Sequence, residues 1–169
     1  SILIVIGTLV LFGFLGGLDD WEKLRQREKG EGMSSRMKFA LQVIFALIIG
    51  WGLFAVLDVP QLYLPGVSTE IELGWIYVPI AAFIIVATAN AVNFTDGLDG
   101  FAGLISATCF AVYGVIALIQ GQIYLAQFSF ILVGAVFGFL WYNVHPAKLI
   151  MGDTGSMALG SSLGVVALM

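Results

Sequence analysis

Five aspartates, three asparagines and a few lysines stand out in an otherwise apolar chain. Asp19 and Asp20 lie in "GGLDDWEK". Asn90, Asn93, Asp96 and Asp99 lie in "NAVNFTDGLDGFAG". Asn143, His145, Lys148 and Asp153 lie in "WYNVHPAKLIMGDTGS". Carboxylates held close together raise one another's pKa unless a cation lies between them. Their oxygens are ligands for hard divalent cations, and Mg2+ typically takes one or two of them beside substrate phosphates. With Lys23, Lys38 and Lys148 near the acids, these residue types point to Mg2+ bound with a diphosphate. The metal would neutralise charge that develops on phosphate oxygens during transfer. Gly97, Gly100, Gly152 and Gly155 would let the backbone approach those oxygens closely.

Each group also has a plainer reading. Asp19 and Asp20 suit a solvated loop start, and Asp153-Thr154-Gly155-Ser156 suits a helix N-cap. Asp96-Gly97 suits a turn, and His145 before a proline suits a loop histidine. The basic residues between 23 and 38 suit topology and attraction to anionic lipid. What favours chemistry is the gathering of all five aspartates at one membrane face, which follows from the elements that carry them.

Hydrophobic residues make up 60% of the 169 and charged residues 11%, against about 25% charged in soluble domains. Such a chain cannot cover itself with polar surface, so its solvent is lipid. Apolar runs at about 1–18, 39–57, 75–91, 100–119, 123–142 and 155–169 are near the ~20 residues that cross a bilayer. They show no period-two alternation and read as helices, not barrel strands. The fold expected is therefore all-α, a polytopic transmembrane helix bundle forming one integral-membrane domain over 1–169. Both ends of the sequence lie inside apolar runs, so we expect an internal piece of a longer chain. Gly134, Gly138, Gly160 and Gly164 have the small-xxx-small spacing of close helix packing in lipid, and simple tolerance of Gly in membrane helices accounts for them equally well.

All seven basic residues fall on one side of this arrangement: Lys23, Arg25, Arg27, Lys29, Arg36 and Lys38 around the first loop, and Lys148. The opposite loops carry Asp58, Glu70 and Glu72 and no Lys or Arg. The positive-inside rule then makes 19–38, 92–99 and 143–154 cytoplasmic. Trp75, Tyr77, Trp141 and Tyr142 fall near span ends, where interfacial aromatics belong. Asn93-Phe94-Thr95 matches a glycosylation acceptor, but its cytoplasmic position at a span end rules that out. One cysteine, Cys109, and one histidine leave no internal disulfide and no zinc-type cluster. "GLDGFAG" is neither a dinucleotide fingerprint nor a P-loop. "DDWEK" lacks the third acid of DDxxD, and Asp96-Gly97 lacks the Ala-Arg of CDP-alcohol phosphotransferases.

The stretches "NAVNFTDGLDGFAG" and "HPAKLIMGDTGSMALG" resemble signatures of the polyprenyl-phosphate N-acetylhexosamine-1-phosphate transferase superfamily (glycosyltransferase family 4). Within it they most resemble the phospho-N-acetylmuramoyl-pentapeptide transferase family. "GLDDWEKLRQREKGEGMSSRMKFALQ" is similar to that family's first acidic loop, with its Gly-Leu-Ser-x-Arg-x-Lys element standing here as Gly32-Met33-Ser34-Ser35-Arg36-Met37-Lys38. The resemblance covers essentially the whole chain. It implies a Mg2+-dependent enzyme that moves phospho-MurNAc-pentapeptide from UDP-MurNAc-pentapeptide to undecaprenyl phosphate, giving lipid I and UMP in peptidoglycan synthesis. It also implies the cytoplasmic face of the bacterial inner membrane. By motif, Asp153 would ligate Mg2+, and Asp19 and Asp20 would handle the polyprenyl phosphate, one as base. Asn93, Asp96 and Asp99 would line the diphosphate and uridine pocket. Gly97, Leu98 and Asn143 would help hold uridine, Lys38 would meet phosphate, and His145 and Lys148 would join the substrate site. Ile150 stands where the family often has Phe. Membrane lipid is a further partner, a homodimer is a candidate assembly, and nucleic acid is not expected.

Two rival functions remain at this point. A GlcNAc-1-phosphate transferase would share the DGLDG and HPAK-GDTGS pieces. A membrane transporter of cations or solutes would also carry intramembrane acids, but nearer the midplane, between broken helices. The aspartates here lie at span ends, where a soluble sugar nucleotide can reach them.

Overall fold

The computed structural model describes residues 2–25, 32–56, 61–62 and 71–169. Each of the six apolar runs is an α-helix: α1 (Ile2–Arg25), α2 (Ser35–Val56), α3 (Tyr77–Thr95), α4 (Phe101–Ile119), α5 (Ile123–Asn143) and α6 (Gly152–Leu168). The first five are long and apolar enough to cross a membrane, and the described residues form a multi-pass membrane protein. A two-residue antiparallel ribbon, β1 (Gln61–Leu62) and β2 (Ile71–Glu72), pairs Gln61 with Glu72 between α2 and α3. Arg27, Lys29, Asp58 and Glu70, which carry part of the topology expectation, lie outside the described residues.

Helix boundaries follow local chemistry. The Ser34 hydroxyl accepts from the Met37 N–H at 3.4 Å and starts α2, as an N-cap serine does. Two other connections turn at glycines with positive φ, Gly100 (75°) and Gly121 (75°), a region that L side chains avoid. Within the spans, hydroxyls of Thr8, Thr88, Thr108 and Ser129 donate to carbonyls one turn back, at 2.8–2.9 Å. These four hydroxyls are thus satisfied without water.

Successive helices alternate in direction. The ends of α1, α3 and α5 and the starts of α2, α4 and α6 therefore share one face, and the acid-bearing motifs are those ends. α6 is the hub, packed most extensively against α1 and α3, while α4 and α5 form a hairpin beside it. Glycines set the close approaches. A Cβ on Gly160 would come within 2.5 Å of the Thr88 carbonyl oxygen, and one on Gly164 within 3.1 Å of Ile85 Cα. These two glycines behave as the small-xxx-small spacing predicts. Gly134 and Gly138, with the same spacing, meet nothing within 4 Å among the described residues.

At the opposite end, Trp51, Phe54 and Trp75 cluster with ring centroids 5.3–6.3 Å apart. Trp75, Trp141 and Tyr142 are exposed at span ends, as expected of interfacial aromatics. Tyr77 differs: it is fully buried and belongs to the core, because it faces inward on the first turn of α3.

Candidate active site

α1 does not stop where its apolar run stops. It continues to Arg25, so Asp19 and Lys23 fall one helical turn apart on one face, the spacing at which such side chains meet. Asp19 is only 2% exposed, which is not the environment of a solvated loop start. Its Oδ2 lies 2.8 Å from Lys23 Nζ and 3.2 Å from Lys38 Nζ, and its Oδ1 accepts from the Met33 N–H at 2.8 Å. A buried carboxylate survives only when paired in this way.

Asp153 comes to the same place from α6. Its Oδ2 accepts from Lys23 at 2.8 Å and also from Lys38, and its Oδ1 accepts from Asn93 Nδ2 at 2.7 Å. The same Asn93 amide donates to Ser156 Oγ at 2.8 Å. Asp153 occupies the first turn of α6, yet its carboxylate is turned to these three partners. The cap comes from elsewhere: Asp20 on α1 accepts from the Asp153 N–H at 3.2 Å, the Thr154 N–H at 2.9 Å and the Thr154 hydroxyl at 2.7 Å. Asp96 is the C-cap residue of α3, and its carboxylate lies near the Gly152 backbone. Burial pushes the Asp96 carboxyl above its ordinary range. The nearby Gly152 backbone opposes this, and the charges of Asp153 and Asp20 add to the rise.

Asp19, Lys23, Lys38, Asn93 and Asp153 line a pocket of about 460 Å3 together with Gln42 and Asn90. Gln42 is 1% exposed, and Asn90 Nδ2 donates to its Oε1 at 2.7 Å. Phe39 and Asn90 also belong to an apolar groove of about 490 Å3 between α2 and α3, floored by Val43, Leu47, Ala82 and Val86. The charged pocket thus adjoins a lipid-compatible groove, with Phe39 and Asn90 lining both.

A second group forms beside the first. Asp99 Oδ2 accepts from the Ala147 N–H at 3.1 Å and from His145 Nδ1 at 2.9 Å. The Ala147 backbone bond, then the His145 ring, hold its carboxyl below the usual carboxylate range. Asn143 is 4% exposed; it accepts from the Gly100 N–H at 3.0 Å and donates to the Leu149 carbonyl at 2.8 Å. It therefore latches the 96–100 loop to the 144–150 loop. Replacing Asn143 with Leu would leave both backbone groups unpaired, at about 1–3 kcal/mol each. We expect the unfolding midpoint of the full-length protein in detergent to fall clearly. An unchanged midpoint would show that Asn143 is free to serve a ligand instead.

The structure thus brings Asp19, Asp20, Lys38, Asn93, Asp96 and Asp153 together, and gathers Asp99, Asn143 and His145 into the neighbouring latch. Gly97, Leu98 and Lys148 are exposed at the same end. Lys23, expected near the acids from the sequence, joins the first group, and Gln42, Thr154 and Ser156, which the motifs do not mark as site residues, complete it. Lys23 is signalled by its i,i+4 relation to Asp19 and Ser156 by its i,i+3 relation to Asp153. Gln42 is signalled only as a lone amide in an apolar run, and Thr154 only as part of a capping stretch.

A polytopic helical membrane protein with an acid-and-lysine pocket at one end is the class defined by this fold and site. The family model of Glycosyl transferase family 4 matches residues 2–169, and the chain belongs to that family. It is 43% identical over 166 residues to a phospho-N-acetylmuramoyl-pentapeptide-transferase of Listeria innocua, covering 96% of this chain and 50% of that protein. Proteins of the same name are 43% identical in Geobacillus thermodenitrificans (94% and 48% covered) and 38% identical in Halalkalibacterium halodurans (100% and 52% covered). The chain spans about half the length of the curated relatives it matches.

Proposed function

We propose that the protein transfers phospho-MurNAc-pentapeptide from UDP-MurNAc-pentapeptide to undecaprenyl phosphate, releasing UMP and forming lipid I at the cytoplasmic face of the bacterial inner membrane. The observation that carries this reading is the adjacency of a charged pocket and an apolar groove, both lined by Phe39 and Asn90. A phosphate on a long apolar chain needs both surfaces at once. The names of the relatives support the donor, and the placement of acids at helix ends favours an enzyme over a transporter.

One oxygen from each of Asp19, Asp20 and Asp153 lies within 4.8 Å of the others. Hard, anionic oxygen donors of this kind fit Mg2+. Asp153 would hold the ion, with Asp19 beside it; when bound, Mg2+ supplies positive charge to the diphosphate. Lys23 and Lys38 would bind phosphate oxygens, since both ammonium groups already sit among the carboxylates and need an anionic partner if the ion takes those oxygens. Asp19 lines the pocket and Asp20 does not, so Asp19 would accept the proton of the lipid phosphate, whose second pKa is close to 6 by analogy with other monoesters. The lipid phosphate oxygen then bonds to the sugar-bearing phosphorus. The bond from that phosphorus to the bridging oxygen breaks, and UMP leaves with that oxygen. The latch of Asp99, Asn143 and His145 would support the nucleotide side, which opens to water.

Full-length protein should turn over UDP-MurNAc-pentapeptide and not UDP-GlcNAc; the reverse preference would identify a GlcNAc-1-phosphate transferase. Asp19→Asn should lower kcat by about 100-fold or more, the usual worth of a general base. Titration with a uridine nucleotide should give nearly wild-type affinity for that variant. Parallel loss of nucleotide affinity and turnover would place Asp19 on the nucleotide side.

A further inference from the structure

We propose that Asp20 is a positioning residue: its carboxylate clamps the N-terminus of α6 and thereby fixes the Asp153 side chain, without itself exchanging a proton or ligating metal. This rests on the reading of Asp153 given above. The first turn of a helix leaves its N–H groups without intrahelical partners, and α6 has no cap of its own. Met151, at the N-cap position, has helical dihedrals (φ −68°, ψ −43°) and makes no side-chain cap bond. The donors are satisfied across helices instead. Asp20 takes the Asp153 and Thr154 N–H groups and the Thr154 hydroxyl. Three hydrogen bonds to its two oxygens tie Asp20 to the α6 terminus. Its negative charge also sits at the positive end of the helix dipole.

The backbone is shaped for this contact. Gly152 has φ +68°, and a Cβ there would lie 2.8 Å from Asp20 Oδ2. A side chain at 152 would therefore displace the clamp as well as strain the backbone. Asp19 and Asp20 are adjacent in sequence but point about 100° apart around α1. Asp19 faces the pocket and both lysines; Asp20 faces the α6 terminus, with Lys23 Nζ a longer 3.8 Å from its Oδ1.

The test uses full-length protein. Asn is as good a cap as Asp, and its amide oxygen can still accept from Thr154. Asp20→Asn should therefore keep much of the activity. Asp20→Ala should lose about 10–100-fold in activity and raise the half-saturating Mg2+ concentration by a similar factor, as removal of an outer partner of a metal ligand does. A second readout needs neither substrate nor metal: the unfolding midpoints of Asp20→Ala, Thr154→Val and the double variant in metal-free detergent solution. The midpoint loss from Thr154→Val should shrink to less than about half in the Asp20→Ala background, because the two share one hydrogen bond. That cycle stands even if the wild-type protein proves not to transfer phospho-MurNAc-pentapeptide. Additive midpoint losses would overturn the clamp. So would an Asp20→Asn variant as inactive as Asp20→Ala, which would give Asp20 a direct chemical role.

Discussion

Asp153→Asn in the full-length protein is expected to abolish transfer while leaving the fold in place. The two costs differ widely in size. Loss of a negative charge from the first turn of α6 removes about 0.3–1 kcal/mol of dipole interaction. The cap survives, because Asp20 bonds to the backbone of residue 153 and not to its side chain. At the site, by contrast, the substitution removes the anion shared by Lys23 and Lys38 and the proposed Mg2+ ligand. Loss of one group aimed at transition-state charge costs about 100–1000-fold in kcat. The expected result is a normal unfolding midpoint with turnover lower by at least that factor, not restored by excess Mg2+. Turnover near the wild-type rate would reduce Asp153 to a charge that helps start a helix.

Gly16→Ala is expected to be as damaging, although residue 16 carries no chemistry. A Cβ there would overlap the Asp153 carbonyl oxygen and sit 2.7 Å from the Thr154 nitrogen. These are backbone atoms of a packed helix and cannot swing aside, so α6 would have to move away from α1. Overpacking of this kind costs about 1–3 kcal/mol or more. A shift of about 1 Å in reacting groups can cost 100-fold in rate. Gly17→Ala is the control, since its Cβ would meet Thr154 Oγ1 at an ordinary 3.6 Å. Midpoint and activity should fall in the first variant and hold in the second. Equal tolerance of both would mean that α1 and α6 are not in close backbone contact.

Much of the fold is legible locally. Apolar runs of membrane-spanning length, punctuated by Gly-Asp, Asp-Gly and Pro, determine six helices, and their alternation determines that the three acid-bearing motifs share one face. Those are properties of each segment and its solvent, so no long-range contact is needed to read them. The division of roles within the clusters is a different matter. Asp19 and Asp20 are the same residue type one position apart, and the sequence assigns them one joint role. Tertiary structure alone turns Asp19 into the lysine pocket and Asp20 onto the α6 terminus, because the rotation of α1 about its axis is set by Gly13 and Gly16 against α6. The cap of α6 was likewise unreadable. Asp153-Thr154-Gly155-Ser156 looks self-capping, but the capping carboxylate is more than a hundred residues away in the chain, where no local pattern reaches. Asn143 reads as a ligand for the nucleotide, and packing makes it a buried latch, because the two loops it joins meet only when α4 and α5 close as a hairpin.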